Sequence, residues 1–165
     1  MIKITQQGQL PVTERSLPIA LIRAREKVMA PIRDMLSETG ITEQQWRVLR
    51  VLSEHDSLDA TEVADRASLH QPSLTRILKT LSEKGFLARS QDEHDKRKQV
   101  LVLTQRGHEI IESNLAQATR IAEAMHAALG EDSFDQLLTL LAKLDDFKFM
   151  PEAIPDADVQ PEPSE

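Results

Sequence analysis

Hydroxyl and basic side chains alternate with leucines between Gln71 and Leu81, and their types suit the recognition of a polyanion. Short hydroxyls come first, at Ser73 and Thr75, and long cations follow, at Arg76 and Lys79. Hydroxyl groups can bond base edges or phosphates, a guanidinium can fork onto guanine, and an ammonium neutralises phosphate. The chemistry that this set predicts is contact with duplex DNA.

The apolar residues of the same stretch recur at the spacing of one helical face: Leu74, Ile77, Leu78 and Leu81. Pro72 suits a first turn, where its missing N–H costs little. Gly85 follows Lys84 and predicts the end of the helix. The spacing therefore predicts a helix with one buried face and one face of hydroxyls and cations.

A basic loop between two predicted strands forms the second charged element. Residues 86–90 and 99–103 have strand-like composition, and residues 91–98 between them form a long loop that contains Lys96, Arg97 and Lys98. Asp95 lies two residues before Arg97 and could hold its guanidinium outward. The alternative is a solvated turn with no partner, which is the usual role of a lone basic triplet.

The residues before the basic helix favour the DNA interpretation. Asp59 and Glu62 have capping-box spacing at the start of a helix whose inner face carries Val63, Ala64 and Ala67. A short turn over residues 68–70 leads into the next helix. Helix, turn, helix and hairpin together predict a winged helix-turn-helix, mainly α with a small antiparallel β-wing. The predicted DNA contacts are Gln71, Pro72, Ser73, Thr75, Arg76, Lys79, Asp95, Lys96, Arg97 and Lys98.

Helices on either side of this head carry more apolar surface than a small wing domain can cover. They are predicted over residues 16–39, 104–129 and 131–147, and a further helix with a Thr42–Gln45 capping box opens the head. We predict a loose arm over residues 1–15, a single domain over 16–147 with a reading head at about 42–104, and a disordered acidic tail over 148–165. Helices 16–39 and 104–147 are expected to form a homodimer; the alternative is a monomer in which they fold back.

The charge of the chain is unevenly distributed. The net charge is −7, yet residues 70–98 carry seven Lys or Arg against four Asp or Glu, whereas residues 131–165 carry two against ten. The positive field is therefore local, and the acidic end should lie away from DNA. The chain has no cysteine, no long apolar run and no leader-like start, so we expect a cytoplasmic protein without a membrane span.

The sequence contains little that indicates a catalytic or metal-binding site. The five histidines form no His-Glu-x-x-His pair, and one Glu123–His126 spacing lacks the partners of a di-iron bundle. We found neither a glycine-rich phosphate loop nor a serine nucleophile elbow. We therefore expect no enzyme activity, catalytic residue, metal site or cofactor; a metal-dependent enzyme is the least supported alternative.

The segments LTRILKTLSEKGFLAR (74–89), DKR (95–97) and VLVLTQRG (100–107) resemble the MarR family of bacterial winged-helix regulators. The resemblance covers roughly residues 17–147. Within the family, ALIRAREKVM (20–29) and TEQQWRVLRVL (42–52) resemble regulators of homoprotocatechuate (4-hydroxyphenylacetate) degradation operons. The resemblance implies interlocked terminal helices in a two-fold dimer, and a small aromatic or phenolic effector bound between those helices and the reading head.

Four residues are candidates for binding or sensing that effector. Trp46 could form an aromatic wall, although a lone tryptophan is more often plain core. Arg25 borders the buried face of its helix and could bind a carboxylate, or could form an ion pair with Glu26 or a partner-chain acid. Arg50, one turn after Trp46, is the second carboxylate candidate, and His70 could couple occupancy to the reading helix.

Together these features predict a homodimeric regulator that binds a pseudo-palindromic duplex with one recognition helix in each half-site. It would repress an aromatic-acid catabolic operon until a small aromatic carboxylate releases it. The alternative from another class is a protein-interaction adaptor that uses the winged-helix surface without DNA.

Overall fold

The computed structural model describes residues 12–91 and 99–148. A short 3-10 helix, Thr13–Arg15, precedes α1 (Leu17–Leu36), α2 (Glu43–Ser53), α3 (Ala60–Arg66), α4 (Gln71–Glu83), β1 (Leu87–Gln91), β2 (Gln99–Leu103), α5 (Gln105–Leu129) and α6 (Glu131–Asp145). This order confirms the predicted fold class, a mainly helical chain with one antiparallel pair of strands. Within the described ranges, no helix has the length and apolarity that crossing a membrane requires.

The chain divides into two compact units, one ending at Met125 and the other beginning at His126. The first unit contains one hydrophobic core, built mainly from the inner faces of α2, α3 and α4 with the wing strands. Its most completely buried large side chains are Leu49, Leu52, Leu74, Leu81, Val48 and Val63. In the second unit, the rings of His126 and Phe134 lie 4.8 Å apart between their centroids.

Side-chain caps fix the starts of three helices, two of them at the predicted capping boxes. Thr42 and Gln45 form a reciprocal capping box at α2, and Asp59 and Glu62 form another at α3. At α5 the Thr104 hydroxyl accepts a hydrogen bond from the Gly107 N–H at 3.2 Å and donates to the Gly85 carbonyl at 2.7 Å. These caps satisfy amides that a helix start leaves without partners, which matters most for the seven-residue α3.

Helix α1 ends at Leu36, earlier than the predicted end near Thr39. Two hydroxyls compete with the helical pattern here: Ser37 Oγ donates to the Asp34 carbonyl at 2.8 Å, and Thr39 Oγ1 donates to the Leu36 carbonyl at 2.7 Å. Gly40 then reverses the chain with a φ of +66°. The helix prediction was right in kind and wrong at this boundary.

The wing hairpin begins one residue later than predicted, with Leu87 opposite Leu103 and Gln91 opposite Gln99. Phe86 is excluded from the ladder because its N–H donates to the Leu81 carbonyl at 2.9 Å and its carbonyl accepts from the Thr104 N–H at 3.1 Å. It therefore belongs to the turn that closes α4. An isolated bridge between Leu58 and Leu101 further ties the hairpin to the segment before α3.

Candidate nucleic-acid interface

The two faces of α4 differ completely in exposure. Its leucine and isoleucine face is buried in the core, with Leu74 at 1% and Leu81 at 0% exposed. The side chains predicted to meet DNA from this helix are all exposed: Gln71, Pro72, Ser73, Thr75, Arg76 and Lys79. An exposed helical face with hydroxyls near its start and cations further along is what insertion into a major groove requires.

Two of these side chains have partners within the helix. The Thr75 hydroxyl donates to the Gln71 carbonyl at 3.0 Å, which leaves its oxygen able to accept a further hydrogen bond. Lys79 Nζ lies 3.9 Å from the Glu83 carboxylate, and both side chains are more than 60% exposed. Exposed pairs of this kind are weak, so a phosphate could replace Glu83 as the partner of Lys79 at little cost.

The turn that leads into α4 is tight and is closed by a backbone hydrogen bond. The Leu69 N–H donates to the Ala64 carbonyl at 2.9 Å, and Ser68 has a φ of 49°, a conformation that a non-glycine residue seldom adopts. His70 occupies the N-cap position of α4, although no cap hydrogen bond from its side chain is present. The exposed His70 thus lies at the junction of the two helices, as the sequence predicted.

The wing carries an exposed cation that was not predicted as a DNA contact. Arg89 is exposed on β1, and its guanidinium donates to the Gln99 side chain across the hairpin at 3.4 Å. The predicted wing contacts Asp95, Lys96, Arg97 and Lys98 lie outside the described residues. Arg89 could have been found from the sequence, because it is a lone cation in a predicted strand next to the basic loop.

A cavity of about 570 Å³ lies where α1 meets the start of α2. Apolar atoms supply most of its lining surface, although polar and charged residues predominate among those that line it: Arg25, Arg33, Leu36, Ser37, Gly40, Ile41, Thr42, Glu43 and Gln44. Glu43, whose side chain is only 13% exposed, pairs with Arg25 and lies 3.5 Å from Arg33. The cavity therefore presents two guanidiniums around one mostly buried carboxylate.

Glu26 completes this charge cluster from the exposed side of α1. It accepts a hydrogen bond from Arg33 at 2.7 Å and another from Arg25 at 3.3 Å. The hydrogen bond from Arg33 to Glu26, with smaller contributions from Glu43, raises the pKa of the Arg33 guanidinium, which therefore stays charged throughout the accessible pH range. For Arg25, the ion pair with Glu26 that the sequence offered as an alternative is present.

The other effector candidates lie apart from this lining. Trp46 is 7% exposed and packs in the hydrophobic core, and Arg50 pairs with Glu54 at 3.0 Å one turn further along α2. Of the residues that the structure describes, those lining the cavity include Arg25 but not Trp46, Arg50 or His70. Arg25 and Trp46 therefore do not both line this cavity.

A second, more polar cavity of about 420 Å³ contains His55 and His108 with Glu54 and Asp56. Across residues 12–91 and 99–148, no three or more His, Asp or Glu side chains are grouped so that they could hold a metal ion.

Several helices expose large apolar side chains. In the first unit they include Leu17, Ile22 and Val28 of α1, with Ile22 at 63% exposure. In the second unit they are concentrated on α6: Leu137, Leu138, Leu140, Leu141 and Leu144. Several large apolar side chains exposed on one helix are typical of an interface with another subunit.

Comparison with known proteins supports the interpretation of this chain as a winged-helix regulator of transcription. Residues 41–99, which include α2 to the start of β2, match the model of the MarR family. The HTH-type transcriptional regulator FarR of Neisseria gonorrhoeae is 36% identical over 129 residues, covering 78% of this chain and 88% of that protein. The homoprotocatechuate degradative operon repressor of Escherichia coli is 36% identical over 132 residues, covering 80% and 87%.

A solved structure extends the similarity to the fold. The crystal structure of NadR in complex with 4-hydroxyphenylacetate superposes with a TM-score of 0.72 at 34% identity, covering 87% of this chain and 99% of that one. The relatives named here are regulators of transcription, not enzymes. The chain belongs to the MarR family, whose members bind operator DNA as dimers.

Proposed function

We propose that this protein is a cytoplasmic homodimer that represses an aromatic-acid catabolic operon and is released by a small aromatic carboxylate. The observation that carries the DNA-binding part is the exposed hydroxyl and cation face of α4, set opposite a fully buried leucine face. We expect Gln71, Pro72, Ser73, Thr75, Arg76 and Lys79 to contact one half-site, with Asp95, Lys96, Arg97 and Lys98 of the wing beside it.

Two comparisons support the choice of effector class. The Escherichia coli relative is a repressor of homoprotocatechuate degradation, and NadR binds 4-hydroxyphenylacetate. We infer that this chain takes a ligand of the same kind, an aromatic ring with a carboxylate. Such a ligand can regulate DNA binding only if it binds one arrangement of the two reading heads better than the other.

The proposed anchor for the effector carboxylate is Arg25, with Arg50 as the second candidate. Arg25 already holds carboxylates, since it pairs with both Glu26 and Glu43, and its side chain is 56% exposed. A ligand carboxylate could replace Glu26 with little loss, because the Arg25–Glu26 pair is exposed and exposed ion pairs contribute little. Trp46 would supply an aromatic wall once the partner subunit completes the site, and His70 would respond to occupancy at the start of α4.

The test combines two signals. Adding 4-hydroxyphenylacetate should quench the fluorescence of Trp46, the single tryptophan, and should lower the affinity for the protein's own upstream DNA in the same concentration range. Arg25→Ala should abolish both responses while leaving DNA binding without ligand intact. A normal response in Arg25→Ala with a lost response in Arg50→Ala would move the anchor to Arg50. If no aromatic acid changes either signal, the proposed effector class is wrong.

A matched control distinguishes loss of the anchor from loss of charge. Arg23→Ala removes the same side chain from an exposed position of α1 outside the cavity lining, so its response to the ligand should match that of the unaltered protein. The salt dependence of binding distinguishes a DNA-binding regulator from a protein-interaction adaptor. A steep fall of duplex affinity with ionic strength supports phosphate contact, whereas binding that is indifferent to DNA would favour the adaptor alternative.

A further inference from the structure

The turn before α4 is held by a side chain from α2. Arg47 Nη1 donates to the Ala67 carbonyl at 3.0 Å and lies 3.5 Å from the Ser68 carbonyl. Both carbonyls lie at the end of α3, where a helix leaves its last acceptors without partners. The guanidinium thus provides a hydrogen-bond donor for the carbonyls of Ala67 and of Ser68, the turn residue with positive φ.

Arg47 itself is oriented by the charge cluster at the cavity. Its Nη2 atom lies 3.9 Å from Glu43 Oε1, one turn earlier on α2. The same Glu43 oxygen pairs with Arg25 of α1, and the second oxygen lies 3.5 Å from Arg33. An unbroken series of charged contacts therefore runs from α1 through Glu43 and Arg47 to the turn before α4.

The other end of α4 is held from the same region. Lys84, the C-cap residue of α4, donates from Nζ to the Gly40 carbonyl at 2.5 Å. Gly40 closes the turn between α1 and α2 and, like Glu43, lines the cavity of about 570 Å³. The turn before α4 and the C-cap residue of α4 are thus linked through Arg47 and Lys84 to Glu43 and Gly40, two residues that line the cavity.

We propose that Arg47 and Lys84 are positioning residues, which fix the orientation of α4 and make it depend on the shape of the cavity at the α1–α2 junction. A displacement of Glu43 removes the carboxylate that orients Arg47, and a displacement of the Gly40 turn acts on Lys84. Charge-assisted hydrogen bonds are stronger than neutral ones, so the loss of either contact should be measurable. The functional part of this inference rests on the proposed contact of α4 with DNA.

The first test needs no DNA. Amide hydrogen exchange of the full-length protein is compared for Arg47→Gln and Lys84→Met, with Arg120→Gln and Lys27→Met as controls that remove the same charges elsewhere. We expect exchange on the order of tenfold faster at residues 67–73 in Arg47→Gln and at residues 80–86 in Lys84→Met, with α2 and α5 unchanged. Glu43→Gln should accelerate the same turn as Arg47→Gln, to a smaller extent.

The second test uses binding. Both variants should lose affinity for the protein's upstream DNA relative to a shuffled duplex, while binding to the shuffled duplex stays within twofold of the unaltered protein. The conservative variants Arg47→Lys and Lys84→Arg, which keep a donor, should recover part of the preference.

Three outcomes would overturn the inference. Exchange in Arg47→Gln and Lys84→Met could match the controls, it could rise equally in every helix, or the preference for upstream DNA could persist despite a loosened α4. The second outcome would mean that the two residues support general stability only. If the unaltered protein shows no preference for upstream DNA, the proposed function fails, and the exchange experiment still decides whether the two cations hold α4.

Discussion

Replacing Gly107 with alanine tests the packing of α5 on the wing. The added methyl group would clash with its neighbours, whereas alanine favours a helix more than glycine does. A Cβ at this position would lie 2.1 Å from the Phe86 carbonyl oxygen and 2.9 Å from a Leu103 methyl carbon. The carbonyl cannot easily move, since it accepts the Thr104 N–H at 3.1 Å at the start of α5. In an unhindered helix the same substitution stabilises by about 1 kcal/mol.

We expect the clash to prevail and Gly107→Ala to destabilise the protein by about 1–3 kcal/mol, the usual cost of overpacking. With a urea dependence of about 2 kcal/mol per molar, the unfolding midpoint should fall by roughly 0.5–1.5 M. Trp46 fluorescence reports the transition, at one fixed protomer concentration because dimer stability depends on it.

A control in the same helix isolates the packing effect. Ala116→Gly, at an exposed position of α5, should lower stability by no more than about 1 kcal/mol, the ordinary helical cost of glycine. A midpoint for Gly107→Ala that is unchanged or raised would refute the packing described for the start of α5.

Five further variants test the remaining expectations. Asp59→Ala removes an acceptor that binds two amides of α3 at 2.8 and 2.9 Å, and should cost about 0.5–2 kcal/mol in urea unfolding, with no loss if the cap is dispensable. Arg76→Ala should cost about 1–3 kcal/mol of operator affinity if it reaches a base, or lower the salt slope by about one if it reaches phosphate; no change in either excludes it from the interface. Arg97→Ala should weaken duplex binding by a similar amount, and Asp95→Ala should weaken it too; tighter binding in Asp95→Ala would show that its carboxylate only repels phosphate. Removal of residues 131–165 should abolish dimerisation in sedimentation experiments, because it deletes the exposed leucines of α6, and a dimeric truncated protein would contradict that role.

Local patterns were enough to predict most of the fold. The leucine spacing of α4, the two capping boxes and the glycine after Lys84 are signals whose partners lie within a few residues, so the sequence contains both halves of each interaction. The end of α1 was placed too late because Ser37 and Thr39 act through hydroxyl bonds to the backbone, which no apolar periodicity reveals. The first strand begins at Leu87 because the Phe86 N–H donates to the Leu81 carbonyl and not to the opposite strand.

The candidate site was predictable only in part, for a physical reason. The exposed face of α4 follows from periodicity, and it was predicted correctly as an exposed surface. The cluster of Arg25, Arg33, Arg47 and Glu43 joins α1 to α2, and the Arg47 contact with Ala67 spans twenty positions of the chain. Pairings between α1 and α2 leave no periodic trace, so Arg33 was not identified from the sequence. The Glu43–Arg47 pair has the i,i+4 spacing of a helical ion pair and could have been found.

The measurement that tests the central claim most directly is equilibrium binding to a fluorescent duplex from the protein's own upstream region, titrated with salt and with 4-hydroxyphenylacetate. The account predicts tighter binding than to a shuffled duplex, a linear fall of the logarithm of affinity with the logarithm of salt concentration, and weaker binding when the acid is present. Equal binding to both duplexes at every salt concentration, with no effect of the acid, would contradict it.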